Sequence, residues 1–104
     1  MDDILFRAVT PLGFTVHVSK DYWRIIVTVK HPVMSGCEKE VKEVLTDPDE
    51  IRLSRSDQNV YLFYRKRNEK RWVCAVTKRK DDTGFLVTAY PTDKIKEGTT
   101  LWKK

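Results

Sequence analysis

Between residues 51 and 90 four segments rich in β-branched and aromatic residues follow one another: 51–55 (IRLSR), 60–66 (VYLFYRK), 72–78 (WVCAVTK) and 84–90 (GFLVTAY). Short links join them, with turn compositions at SDQN (56–59) and DDTG (81–84). A parallel crossover needs roughly a dozen residues or more, so strands joined this tightly pair antiparallel. Any fold open to this chain has to be built around that meander.

One helix is expected before it. Ser35 with Glu38 has the spacing of a capping box, and Cys37, Val41, Val44 and Leu45 recur on one helical face. Glu38, Lys39, Glu40, Lys42 and Glu43 fill the other face, and Asp47-Pro48 ends the helix because the residue before proline is driven out of the helical region. Upstream, residues 14–19 (FTVHVS) alternate apolar and polar. Lys20-Asp21 is a two-residue turn candidate, and residues 22–30 (YWRIIVTVK) read as a long second strand. Residues 5–9 read as a further short strand or an arm, and the tail after Pro91 as loop, with Trp102 covering an edge of the core.

The expected fold is therefore α+β, in the order β-β-α-β-β-β-β. It has one antiparallel sheet of about five to six strands, with one main helix packed on one face and the other face open to water. The 104 residues form a single domain, with 1–13 as the N-terminal strand or arm and 91–104 as the C-terminal tail. Alternation puts Phe85, Val87 and Ala89 in one set on the last strand and Leu86, Thr88 and Tyr90 in the opposite set. For the middle strands alternation defines two sets of side chains without saying which of them meets water.

Hydrophobic residues make up 40% and charged residues 34%, enough apolar material for one core and too much for a disordered chain. The longest mainly apolar run is too short for a bilayer span, and the acidic N-terminus lacks the order of a signal peptide, so a cytoplasmic location is expected. Cys37 and Cys74 lack a zinc-site spacing and are read as two buried free thiols. No carboxylate cluster or Cys/His set suits a metal, so no metal and no cofactor is expected.

The net charge is +5, and its distribution is uneven. Residues 62–80 (LFYRKRNEKRWVCAVTKRK) are dense in Lys and Arg with a single Glu, whereas residues 38–50 carry six Asp or Glu. Tyr64 and Trp72 interleave the basic block. Cations neutralise phosphates and aromatic rings offer stacking surfaces, which is the composition of a nucleic-acid face. A solvated hairpin tip has the same composition.

The stretches HPVMSGCEKEVKEVLTDPDEIRLSRSD, VYLFYRK and FLVTAYPTDKIKEG, in this order of elements, resemble the barnase/EndoU/colicin/RelE-like nucleases of phages and toxins. The likeness covers about residues 14–98. It is closest to an uncharacterised branch encoded beside small antitoxin-like proteins. The resemblance implies metal-independent RNA cleavage in which the ribose 2′-hydroxyl attacks the phosphodiester. The implied partners are RNA, in some members on the ribosome, and a small acidic antitoxin protein. It implies catalytic roles for His31, Arg55, Tyr64, Thr88 and Tyr90, and RNA contacts from Arg52; the basic block itself adds Arg65, Lys66, Arg67, Lys78 and Arg79 as nucleic-acid-binding candidates. The chain departs from the barnase and EndoU members in lacking their second histidine with glutamate. Catalysis by positioning and charge, as in the RelE-type members, is the expectation.

Each assignment has a structural counterpart. His31, held extended by Pro32 ahead of a helix N-terminus that attracts anions, is a general base or a solvated loop residue. Arg52 and Arg55 suit phosphate through their planar fork, or pair with Asp47, Asp49 or Asp57. Tyr64 and Tyr90 orient a ribose, stack a base or donate a proton, or else are core tyrosines with satisfied hydroxyls. Thr88 is a site residue or an ordinary strand threonine. His17 and Trp72 are read as structural. The rival functions are a non-catalytic RNA- or protein-binding module of the same fold, and a phage or mobile-element accessory protein.

Overall fold

In the computed structural model, which describes residues 3–104, the chain runs β1 (Ile4–Val9), β2 (Thr15–Ser19), α1 (Lys20–Ile25), α2 (Glu38–Thr46), β3 (Glu50–Leu53), β4 (Val60–Asn68), β5 (Arg71–Lys80), β6 (Thr83–Thr92) and β7 (Thr99–Lys103). A π-helical turn (Ile26–Lys30) continues α1, and a 3₁₀ turn (Pro32–Met34) follows it. The fold class is α+β with one seven-stranded sheet ordered β1-β2-β6-β5-β4-β3-β7. The β3–β6 meander is antiparallel throughout, as the short links require.

The sheet is mixed, not purely antiparallel. Thr15–His17 of β2 pair parallel with Thr83–Phe85 of β6. That pairing is open to β2 because its own continuation is helical. The expected strand at residues 22–30 is α1 and the π-helical turn: the Ser19 hydroxyl caps it by accepting from the Tyr22 N–H at 3.0 Å, and Asp21 adds a favourable charge in the first turn. Trp23 and Ile26 are buried at a helical spacing, while Ile25 and Val29 face solvent, so tertiary burial overrides the β-branched composition. Lys20-Asp21 accordingly opens a helix and makes no turn.

The helix expected from Ser35 begins at Glu38, with Cys37 as its N-cap and no side-chain cap. The capping box does not form: Gly36 at φ +82° carries the chain round between the 3₁₀ turn and α2. Val41, Val44 and Leu45 are fully buried, as their spacing predicts, and Asp47 ends the helix before Pro48. The tail is also more ordered than a loop, because β7 adds to the outer edge of β3 and brings Trp102 against the core.

The main core lies between the sheet and the helices, built from Phe14, Val16, Ile26, Met34, Val44, Leu45, Ile51, Phe63, Val73 and Leu86 among others. A bulge interrupts β6: Val76 pairs with Thr88 and Thr77 with Leu86, leaving Val87 unmatched. The extra residue reverses the facing of everything before it. Leu86 and Ala89 therefore both enter the core and Phe85 is turned out to 44% exposure, against the expected set of Phe85, Val87 and Ala89. Tyr22 and Lys30 fill the gap, the phenol and the ammonium both donating to the Val87 carbonyl, at 2.9 and 3.0 Å.

Candidate functional site

The face of the sheet away from the helices carries rows of side chains set by the strand registers. Tyr64, Cys74 and Tyr90 form one row across β4, β5 and β6, and Leu62, Val76 and Thr88 form the next. The expectation of a face open to water holds only in part. Residues 93–98 cross it as a strap on the way to β7; Ile95 packs on Leu62, Tyr64 and Cys74, and the Gly98 carbonyl accepts from Arg52 at 3.3 Å. Tyr64 is 1% exposed and Cys74 fully buried beneath it, while the row's outer end, Tyr90, is only half-buried.

His31 meets this row at its rim. Its N–H donates to the Ile26 carbonyl at 2.7 Å and its own carbonyl accepts from Met34, so both sides of the residue are tied to the turns around it. The imidazole lies 5.2 Å from the Tyr90 ring, tilted by 37°. The α2 N-terminus, expected at Ser35 close after His31, begins at Glu38 and is separated from His31 by the 3₁₀ turn and Gly36. Tyr90 also lines a depression of about 580 Å³ with Arg55, Val60, Leu62, Val76, Lys96 and Glu97. Arg55 sits in the β3–β4 loop beyond the end of β3, exposed, and makes no ion pair among the described residues.

The site's two phenols and its thiol share an apolar setting. Burial, reinforced by the neighbouring Cys74, pushes both Tyr64 and Tyr90 well above the ordinary phenol range. Burial pushes the Cys74 thiol up to about 12, against hydrogen bonds from the two tyrosines. All three are neutral at working pH and act as hydrogen-bonding groups, not as anions. Thr88 has its hydroxyl oxygen buried without a partner.

Of the residues singled out in the sequence, His31, Tyr90, Thr88, Tyr64 and Arg55 come to one face. Tyr64 is sealed under the strap. Arg52 reaches the same face but is occupied: its Nε donates to Glu50 Oε2 at 2.6 Å. Burial raises the Glu50 carboxyl, yet the Arg52 and Thr100 hydrogen bonds hold it below the usual range. The basic block is divided by strand alternation. Arg65 pairs with Asp47 at 2.9 Å and Arg67 with Glu40 at 2.6 Å, both on the side of α2, and the Arg79 guanidinium lies 4.6 Å over Phe14. Lys66 lies over Trp72 at 5.8 Å, and Lys78 approaches Asp57 at 3.5 Å. The block thus makes no single continuous patch. Lys96 and Glu97 enter the site without having been picked out, because nothing in a lone Lys-Glu pair in a tail signals that the tail folds back over a sheet.

Among the described residues no three His, Cys, Asp or Glu side chains converge as a metal site, and no helix is long and apolar enough to cross a membrane. Comparison with protein-family models, with curated proteins and with solved structures finds no match to this chain.

Proposed function

We propose that the protein is an RNA-cleaving nuclease that works without a metal at the rim formed by His31, Tyr90 and Arg55. The observation that carries the reading is the 5.2 Å contact of the His31 and Tyr90 rings beside a depression in which the cations Arg55 and Lys96 outnumber the single carboxylate, Glu97. In the reaction the ribose 2′-hydroxyl gives its proton to the His31 imidazole, and its oxygen bonds to phosphorus. The bond to the 5′ oxygen breaks and that oxygen takes up a proton from solvent water, leaving a cyclic phosphate and a 5′-hydroxyl, and the imidazolium returns its proton to solvent. Arg55 and Lys96 offset the extra negative charge on the phosphorane. The Tyr90 phenol, neutral at working pH, donates a hydrogen bond to the ribose or the phosphate. This reading belongs with a cytoplasmic protein acting on cellular RNA, and a small acidic protein would inhibit it by covering Arg55 and Lys96.

The test is cleavage of a synthetic RNA and of the same RNA with 2′-deoxyribose at each position. His31→Ala and Arg55→Ala are expected to lower cleavage by about a hundred-fold or more with the thermal midpoint kept. Cleavage is expected to survive EDTA and to fail on the deoxy substrate. Complete loss in EDTA overturns the mechanism. RNA binding with no cleavage by the native protein leaves a binding module in its place.

A further inference from the structure

One strip of the same face escapes the strap, and the registers define it without reference to His31. Arg7 of β1 pairs with His17 of β2, His17 with Phe85 of β6, Phe85 with Lys78 of β5, and Lys78 with Val60 of β4. Side chains directly opposite in neighbouring strands share a face, so these residues form a single row across five strands. It lies two residues of β5, about 7 Å, from the row of Val76 and Thr88. Its Val60 end opens into the depression that holds Arg55 and Tyr90.

The row has an unusual composition for a solvent face. Phe85 is a large ring at 44% exposure, turned outward by the Val87 bulge. With His17, Ser19, Ile4 and Tyr22 it lines a depression of about 340 Å³, ample for a nucleobase. A cation stands on each side of it along the row. Arg7 is exposed and makes no ion pair among the described residues. Lys78 is exposed, and its 3.5 Å approach to the partly exposed Asp57 leaves N–H groups for another acceptor. An exposed aromatic ring between two cations is the arrangement that holds an unpaired base with its flanking phosphates.

We infer that this strip is a binding track for single-stranded RNA: one base stacks on Phe85 in the His17 depression, Arg7 and Lys78 hold the phosphates on either side, and the strand continues past Val60 to Arg55 and Tyr90. The inference rests on RNA being the substrate, but not on His31 being a base. A duplex does not fit, because its bases are already stacked and cannot reach a ring on a flat sheet. His17, read from the sequence as structural, becomes a contact to the base edge.

The test is fluorescence anisotropy of a labelled 2′-O-methyl oligouridylate, which cannot be cleaved through the 2′-oxygen, at several salt concentrations. Phe85→Ala is expected to weaken binding by about five- to a hundred-fold with the salt slope unchanged, since a stacking contact carries no counterion. Phe85→Leu keeps the apolar bulk and is expected to weaken binding nearly as much, which separates loss of the ring from loss of fold. Arg7→Ala with Lys78→Ala is expected to reduce the slope of log affinity against log salt by roughly 1.4, two single-strand phosphate contacts. Native affinity at Phe85→Ala, or equal competition by a duplex of the same length, overturns the track. Loss of cleavage in His31→Ala with Phe85→Ala inert in both assays removes the track and keeps the nuclease. Weakened binding in Phe85→Ala without cleavage by the native protein keeps the track and removes the nuclease.

Discussion

The hydroxyl of Tyr90 is the smallest group on which the proposed chemistry turns. Its ring packs between the His31 imidazole and the Cys74 row, so most of its buried area is carbon. Tyr90→Phe keeps that area and removes one hydrogen-bonding group, a change expected to cost no more than about 1.5 kcal/mol. Cleavage is expected to fall about ten- to a thousand-fold. Comparing thermal midpoint with rate for this variant decides the matter, and a large fall in midpoint with the rate retained makes Tyr90 a core tyrosine. Pairing of residues along a strand was legible at this scale: Thr88 and Tyr90 share a face as their spacing requires. The state of Tyr64 was not, since its burial depends on Ile95, distant in sequence.

Among the elements, the strap at 93–98 controls the most and announced itself least. It has no periodic pattern, and its order comes from β7 pairing with the edge of β3 and from the Gly98 carbonyl held by Arg52. Gly98 sits at φ +81°, and a Cβ there would come within 2.7 Å of the Leu53 carbonyl oxygen. Gly98→Ala is therefore expected to cost more than about 1 kcal/mol and to free the strap ahead of the sheet. The measurement is the rate at which Cys74 reacts with an aromatic disulfide reagent in a Cys37→Ala background. The native thiol, fully buried and pushed up to about 12, is expected to be nearly inert, and the Gly98 variant to react at least ten-fold faster. An unchanged rate would show that Gly98 does not hold the cover down. The α1 segment makes the complementary point. The residues of its continuation, 25–29 (IIVTV), favour strands one by one, yet Ser19 and Asp21 already carried a helix-start signal that this β-branched run masked.

The whole molecule is expected to hold a plateau of stability bounded on both sides by titration. On the acid side the Arg67 hydrogen bond holds Glu40 below the usual carboxylate range, and Asp47 is lowered chiefly by Lys104. Native carboxyls that bind protons less readily than unfolded ones add stability above about pH 4.5, and it is lost as pH falls through the depressed values. On the alkaline side the sign reverses. The native Cys74 thiol holds its proton up to about 12, whereas the unfolded thiol loses it near 9, so its contribution is intact below about 9 and fades as pH rises toward about 12. The thermal midpoint is expected to decline over that alkaline window, and Cys74→Val to flatten part of the decline. A midpoint that rises above pH 9, or the same slope in the valine variant, contradicts the assignment.

By itself the sequence determined the β3–β6 meander and the buried stripe and C-terminal stop of α2, because each depends on neighbours within a few residues. Only the tertiary structure decided the parallel β2–β6 pairing, the flip of Phe85 by the Val87 bulge, the strap, and the meeting of His31 with Tyr90. Each of these is a contact between segments far apart in the chain, and its free energy exists only once both are placed. Local propensity and alternation cannot register it: a single unmatched residue in β6 is enough to exchange the two faces of the strand.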